Sequence, residues 1–232
     1  MKLLGLIGGM SWESTAYYYQ ELNRRVRARL GGLHSARCLV HSVDFAPIAE
    51  MQSRGDWDQA GRVLADIAAR LEGAGAEALV LCTNTMHRVY DDMVAATTVP
   101  ILHIADGTGD AMAQRGVETV GLLGTKFTME QDFYRRRLEQ RGFHVVIPEA
   151  AAREDVHRII YDELCLGVVK EASRDRYREV VRELQLAGAE GIILGCTEIG
   201  LLLDSQSTDA PLFDTTLLHV EAALDWSLRS ER

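Results

Sequence analysis

The apolar positions of this chain fall into two alternating patterns: short, largely apolar runs, and longer stretches in which apolar residues recur three and four places apart. The runs Lys2 to Ile7, Cys38 to Val43, Ala78 to Cys82, Pro100 to Ile104, Thr119 to Leu123, His144 to Ile147, Gly191 to Leu194 and Leu212-Phe213 have the length of buried strands and are bounded by turn residues. The stretches Ser11 to Leu30, Asp56 to Ala74, Asn84 to Ala95, Thr128 to Arg141, Glu154 to Leu164, Ser173 to Ala187 and the segment from Thr215 read as helices. Strands that alternate with helices predict an α/β fold with mainly parallel sheets, because each parallel pair needs a crossover and a helix supplies it.

The order of elements occurs twice. Gly5-Leu6-Ile7-Gly8 matches Gly121-Leu122-Leu123-Gly124, the segment Gly75 to Thr83 matches Gly188 to Cys196, and Pro100-Ile101-Leu102 matches Pro211-Leu212-Phe213. Three matches in the same order predict a duplication, and hence two pseudo-symmetric Rossmann-like lobes, 1–104 and 105–214. Open α/β sheets bind ligands beyond the carboxyl ends of their strands. Two such lobes facing each other would enclose an interlobe cleft.

Charge and composition narrow the chemistry. The 232 residues hold 34 Asp and Glu against 25 Lys and Arg, a formal net charge of −9, which repels phosphate backbones and anionic lipid surfaces. No nucleic-acid or membrane partner is expected. The apolar start Met1 to Ile7 is broken by Gly8-Gly9, and no apolar span of about 18 residues follows, so the expected location is the cytoplasm. The four cysteines show no C-x-x-C spacing, which leaves thiol chemistry or plain burial to explain them.

Small and polar residues stand where the strands run out: Gly8-Gly9-Met10-Ser11, Cys82-Thr83-Asn84-Thr85, Gly124-Thr125-Lys126 and Gly195-Cys196-Thr197-Glu198. Each turn opens a helix, whose free N–H groups and positive dipole end favour an anion such as a carboxylate. Backbone N–H groups near Met10-Ser11, Asn84-Thr85 and Thr197 are the expected holders of a substrate carboxylate. No dinucleotide fingerprint, phosphate loop or H-E-x-x-H spacing occurs, and the lysines are Lys2, Lys126 and Lys170 alone, so neither metal nor pyridoxal phosphate is expected. The repeat sets Cys196 opposite Thr83, at matching strand ends, and the helix start after Cys196 is expected to depress its thiol pKa. Cys38 and Cys165 are expected to be structural.

Gly8-Gly9-Met10-Ser11, Asn84-Thr85-Met86-His87 and Gly195-Cys196-Thr197-Glu198, in this order, resemble the aspartate/glutamate racemase family, and the likeness runs over nearly the whole chain. It implies a cofactor-independent racemase of two pseudo-symmetric lobes, a homodimer, whose last helix, 215–232, returns to the first lobe. Catalysis by Cys196 and Thr83 is implied, although family members commonly carry a cysteine where this chain has Thr83. Cys82 lies one residue earlier, and a one-residue step turns a side chain to the opposite face. The resemblance adds Gln52 and Thr85 as polar substrate contacts, with Thr125 and Glu198 at the strand ends, and His87 behind the site. Relatives specific for aspartate clamp the distal carboxylate with an arginine and a lysine. Here Ser42 to Gln52 holds no arginine and Cys165 stands about where the lysine would be, leaving Arg54 or Arg158 as substitutes. The implied substrate is aspartate, glutamate or a broader set of polar amino acids. Two other readings stay open: a related hydantoin racemase or a decarboxylase or isomerase of small dicarboxylic acids, and an amino-acid-binding module without turnover.

Overall fold

The buried strands Leu4–Gly8, Thr119–Gly124 and Gly191–Gly195 each end in glycine, and helices carry the chain from one parallel strand to the next. The computed structural model of the protein describes residues 1–204 and 207–229. The chain divides into two compact units, Met1–Ile104 with His219–Arg232, and Ala105–Leu218.

The first unit runs β1 (Leu4–Gly8), α1 (Trp12–Leu30), β2 (Cys38–Ser42), α2 (Phe45–Arg54), α3 (Trp57–Gly73), β3 (Ala78–Leu81), a 3-10 helix at Thr85–Val89, α4 (Tyr90–Ala96) and β4 (Ile101–Leu102). Its sheet has the order β2-β1-β3-β4 and is parallel throughout. Both central strands are buried along their whole length, as expected when helices cover both faces. The period of two sorts their side chains. Ile7, Leu79 and Leu81 pack with Leu64 and Ala68 of α3, while Leu4, Leu6, Ala78, Val80 and Cys82 pack with Tyr18 and Leu22 of α1.

Helix α5 (Ile104–Gln114) leads into the second unit, which continues with β5 (Thr119–Gly124), α6 (Lys126–Glu130), α7 (Asp132–Glu139), β6 (His144–Val146), α8 (Ala150–Asp162), a 3-10 turn at Leu164–Leu166, α9 (Glu171–Leu186), β7 (Gly191–Gly195), a 3-10 helix at Thr197–Leu201 and β8 (Leu212–Asp214). Its order, β6-β5-β7-β8, all parallel, is that of the first sheet. Helix α10 (Thr215–Leu228) then brings Val220 and Ala223 into the first unit's core beside Leu4 and Leu6.

The repeat extends to single hydrogen bonds. The N–H of Leu79 donates to the Pro100 carbonyl at 2.9 Å, and Ile192 to Pro211 at 2.8 Å. The carboxylate of Glu77 accepts from Leu3 N at 2.5 Å, and that of Glu190 from Glu118 N and Thr119 N at 2.7 and 3.1 Å. Ser11 caps α1 by accepting from Ser14 N, and Thr125 caps α6 by accepting from Thr128 N.

Three expectations change. The helix expected over Asn84 to Ala95 is a 3-10 turn followed by α4, and that over Thr128 to Arg141 is two helices, because Gln131 adopts an extended backbone between them. The strand expected over Pro100 to Ile104 is only Ile101–Leu102. Helices α2 and α5 were not legible: α2 is ten residues with Pro47 in its first turn, where proline is tolerated, and α5 contains Gly107 and Gly109.

Candidate active site

In the first unit, Gly9 turns the chain at the end of β1 with φ +91°, and a Cβ there would lie 2.3 Å from the Val43 carbonyl oxygen. Only glycine passes so close to the neighbouring strand. The turn delivers Met10 and Ser11, both buried. The Ser11 hydroxyl is occupied as the cap of α1. The N–H of Gly9 donates to Thr15 Oγ1 at 2.7 Å, which fixes the turn to the first coil of that helix.

At the end of β3 the alternation decides between two neighbours. Cys82 follows Ala78 and Val80 onto the α1 side, where it is fully buried and its Sγ lies 3.7 Å from the Val80 carbonyl. Burial pushes this thiol well above the ordinary cysteine range. Thr83 takes the opposite parity at the strand end, followed by the buried Asn84, Thr85 and His87. Gln52 is buried on α2, with Nε2 3.0 Å from Met86 Sδ. The first unit therefore gathers Met10, Ser11, Gln52, Thr83, Asn84 and Thr85 around the carboxyl ends of β1 and β3.

In the second unit Gly124 and Gly195 face each other across the β5–β7 register. A Cβ on Gly195 would stand 2.8 Å from the Leu123 carbonyl. Thr125 and Cys196 are the next residues along, and Thr197 and Glu198 follow on the 3-10 helix. The Cys196 thiol donates to Glu198 Oε2 at 2.9 Å, and the Thr197 hydroxyl donates to the same oxygen at 2.5 Å. Glu198 is buried. Burial first, and then the charge of Glu198, hold the Cys196 thiol well above the ordinary cysteine range. The expectation of a thiol depressed by the helix start is thus overturned: a five-residue 3-10 turn has little dipole to offer, and a carboxylate stands beside the sulfur. Cys196 rests as a neutral thiol with a proton acceptor in place.

Register makes Thr83 and Cys196 counterparts. Ile7 pairs with Leu81, and Gly124 with Gly195, so each residue stands just past the strand that neighbours the first strand of its unit. Two places further on, however, the first unit has Thr85 and the second Glu198.

Tyr161 of α8 and Tyr177 of α9 were not anticipated. Burial raises both hydroxyls, with Cys196, Cys165 and Glu198 contributing, so the two rings lie in the electrostatic neighbourhood of Cys196. Tyr161 packs on His157 with ring centroids 4.8 Å apart. Its position after the core residues Ile159 and Ile160 was the only signal in the sequence. Arg54 and Arg158 are at the surface: Arg54 is exposed and pairs with Glu50 at 2.5 Å, and Arg158 is half exposed, 3.8 Å from Asp155. Among the described residues no group of three His, Cys, Asp or Glu side chains could hold a metal ion, and no helix is long and apolar enough to cross a membrane.

A search of solved structures finds this fold in a candidate Asp/Glu racemase from Yersinia pestis, 54% identical over 99% of this chain and 100% of that one, with a TM-score of 0.93. An aspartate racemase homologue from Pyrococcus horikoshii OT3 is 33% identical over 99% and 100% of the two chains, with a TM-score of 0.86. Among curated proteins, the broad specificity amino-acid racemase RacX of Bacillus subtilis (strain 168) is 22% identical over 92% of this chain and 93% of its own. The family model for Asp/Glu/hydantoin racemases matches residues 7–223. Since that match spans the strand ends of both units, the chain belongs to the Asp/Glu/hydantoin racemase family.

Proposed function

We propose that the protein is a cofactor-independent amino-acid racemase in which Cys196 and Thr83 exchange the α-proton on the two faces of the α-carbon. The observation that carries this reading is the register equivalence of the two residues, one of them a thiol already hydrogen-bonded to a buried carboxylate.

An α-hydrogen is far less acidic than any side chain is basic, so the site must both stabilise a carbanion and hold acid and base in place. Backbone N–H groups near Met10-Ser11, Asn84-Thr85 and Thr197 hold the substrate carboxylate, with Gln52, Thr85 and Thr125 as further polar contacts, because fixed dipoles there need no reorganisation. On the Cys196 face the thiol passes its proton to Glu198 as the sulfur takes the α-hydrogen. On the other face the Thr83 hydroxyl gives its proton to the carbanion and regains one from solvent, while Glu198 releases to solvent the proton it took from the thiol, so the site returns to its starting state. The reverse reaction runs these transfers backwards. Glu198 thus serves the thiol rather than the substrate.

The substrate of this reading is aspartate, glutamate or a wider set of polar amino acids. Breadth is supported by the surface placement of Arg54 and Arg158, which leaves them in exposed ion pairs, and by the likeness to a broad-specificity relative. A homodimer in the cytoplasm goes with the family resemblance, and sedimentation tests the dimer.

Loss of the α-proton NMR signal in deuterium oxide, followed over L- and D-amino acids and hydantoins with no cofactor added, tests the proposal. Exchange on at least one acidic or polar amino acid is expected. Exchange on hydantoins alone, or on nothing, overturns it, as does activity lost to hydroxylamine or a chelator and restored by pyridoxal phosphate or metal.

A further inference from the structure

Three buried histidines of the first unit, His87, His103 and His219, have no part in the chemistry above. His87 and His103 stand with ring centroids 4.5 Å apart, and His87 and His219 at 5.9 Å. Their hydrogen bonds fix how they carry protons. At His87, Nδ1 lies 2.8 Å from the Thr83 carbonyl, which can only accept, and Nε2 lies 3.2 Å from the Ile104 N–H, which can only donate. The ring is therefore the neutral Nδ1–H tautomer. At His219, Nε2 meets the Leu102 carbonyl at 2.8 Å, so Nδ1 accepts from the Tyr18 hydroxyl at 2.9 Å. Tyr90 completes the set by donating to the Ile101 carbonyl at 3.0 Å and packing 4.8 Å from the His103 ring.

Two consequences follow from where these bonds fall. Residues 101–104 have little strand of their own, since β4 is two residues long, and three side chains from three other elements supply their partners. Ile104 is also the last residue of the first unit before the chain enters the second, and His219 the first on its return. His87 joins this segment to Thr83.

We infer that His87 is a positioning residue for proton transfer at Thr83: its ring clamps the Thr83 carbonyl to the Ile104 amide and so fixes the turn from which the Thr83 hydroxyl projects. The inference rests on the catalytic role proposed for Thr83. A protonated His87 has no acceptor left for Ile104, and it would face His103 and His219 from β4's end and α10, with the Tyr90 ring stacked 6.3 Å away and Tyr18 hydrogen-bonded to His219. Burial, with His103 and His219, accordingly holds His87 well below the ordinary histidine range.

The test compares His87→Phe, which keeps the ring and loses both bonds, with His87→Gln, whose amide restores one donor and one acceptor. A displaced reacting group costs turnover more than binding, so His87→Phe is expected to lower kcat about 10- to 100-fold with KM changed less than about threefold, and His87→Gln to recover part of it. A merely structural residue would lower Tm and leave kcat of the folded fraction unchanged, and that result overturns the inference. Long-range proton–nitrogen NMR on the wild-type protein provides a second arm that needs no variant to fold. It should show His87 as the neutral Nδ1–H tautomer at and below neutral pH, and an Nε2–H tautomer or a protonated ring overturns the clamp. Should the wild-type protein exchange no α-proton at all, the racemase reading fails by itself, and the tautomer spectrum together with the Thr83 and Ile104 amide shifts in His87→Gln still decides whether the clamp exists.

Discussion

The thiol of Cys196 donates to the carboxylate of Glu198 at 2.9 Å, and the corresponding place beside Thr83 is held by Thr85. The two strand ends that match in register thus differ in proton affinity. One carries a base next to its acid, and the other carries hydroxyls.

Glu198→Gln separates the two effects of that carboxylate. Its charge raises the Cys196 thiol, so the variant's thiol pKa should fall and alkylation at fixed pH should speed up. Exchange should nevertheless slow by about a hundredfold or more, the scale of a lost general base. Iodoacetamide kinetics and α-proton exchange measured on one preparation check both signs. Unchanged exchange would remove Glu198 from the proton path.

The neighbours Cys82 and Thr83 have opposite expected phenotypes. Cys82 lies in the core against Leu4, Leu6 and Tyr18, so Cys82→Ala should keep its activity when folded and lose about 1 kcal/mol of stability, the scale of one buried methylene with its cavity. Thr83→Ala and Cys196→Ser should fold and lose exchange. Thermal melts beside exchange rates distinguish these outcomes, and an active Thr83→Ala protein would end the two-group mechanism.

Strand parity explains why this much could be read in advance. The matches of Gly5-Leu6-Ile7-Gly8 with Gly121-Leu122-Leu123-Gly124, and of Gly75 to Thr83 with Gly188 to Cys196, preserve which residue ends each central strand, so the repeat by itself aligns Thr83 with Cys196. Side-chain orientation, burial and contacts made across sequence distance were not legible. The thiol's state depends on burial and on the rotamer of Glu198, the bridge from His87 to Ile104 spans separate elements, and Tyr161 nears Cys196 only through the packing of α8. The split at Gln131 was equally hidden, since one extended residue leaves the apolar spacing of the flanking helices intact.

The exposed arginines give a test of breadth. Arg54 and Arg158 sit in surface ion pairs, which contribute about 0.2 to 1 kcal/mol each. If breadth reflects the lack of a cationic clamp, Arg54→Ala and Arg158→Ala should change kcat/KM for aspartate less than about fivefold, well short of the loss expected when one partner of a buried charge pair is removed. Loss of aspartate activity alone, with other amino acids unaffected, would make one of them the missing carboxylate clamp.

Glu190 ties the entry of β5 to β7 by accepting from two backbone N–H groups, and those bonds hold its carboxyl below the ordinary glutamate value of 4.5. A folded pKa below the unfolded one means that stability is present above the unfolded value and lost as pH falls through the folded value. Glu190→Ala should therefore destabilise the protein at neutral pH and have a smaller effect once acid has protonated the wild-type carboxylate. Urea unfolding at the two pH values checks the sign, and a larger effect in acid would contradict it.

The direction of catalysis follows from the same asymmetry. Two enantiomers have equal free energy in an achiral solvent, so the equilibrium constant is one, and a simple reversible racemase must show equal kcat/KM for both. Only kcat and KM can differ, each by the same factor. Neither Cys196 nor Thr83 is ionised at rest, but Cys196 has Glu198 at 2.9 Å to take its proton, whereas the Thr83 hydroxyl has Thr85, and not a carboxylate, two residues on. Abstraction by Cys196 should thus be the easier half of the exchange, and one enantiomer should show both the higher kcat and the higher KM. Thr83→Cys, which supplies a more acidic group to the other face, should draw the two sets of constants together. Progress curves from each pure enantiomer, read by polarimetry or chiral chromatography, measure all four constants. If the two kcat/KM values still differ after product inhibition and inactivation are excluded, the reaction is not simple racemisation, and the assignment of Cys196 and Thr83 as its two proton-transfer groups falls with it.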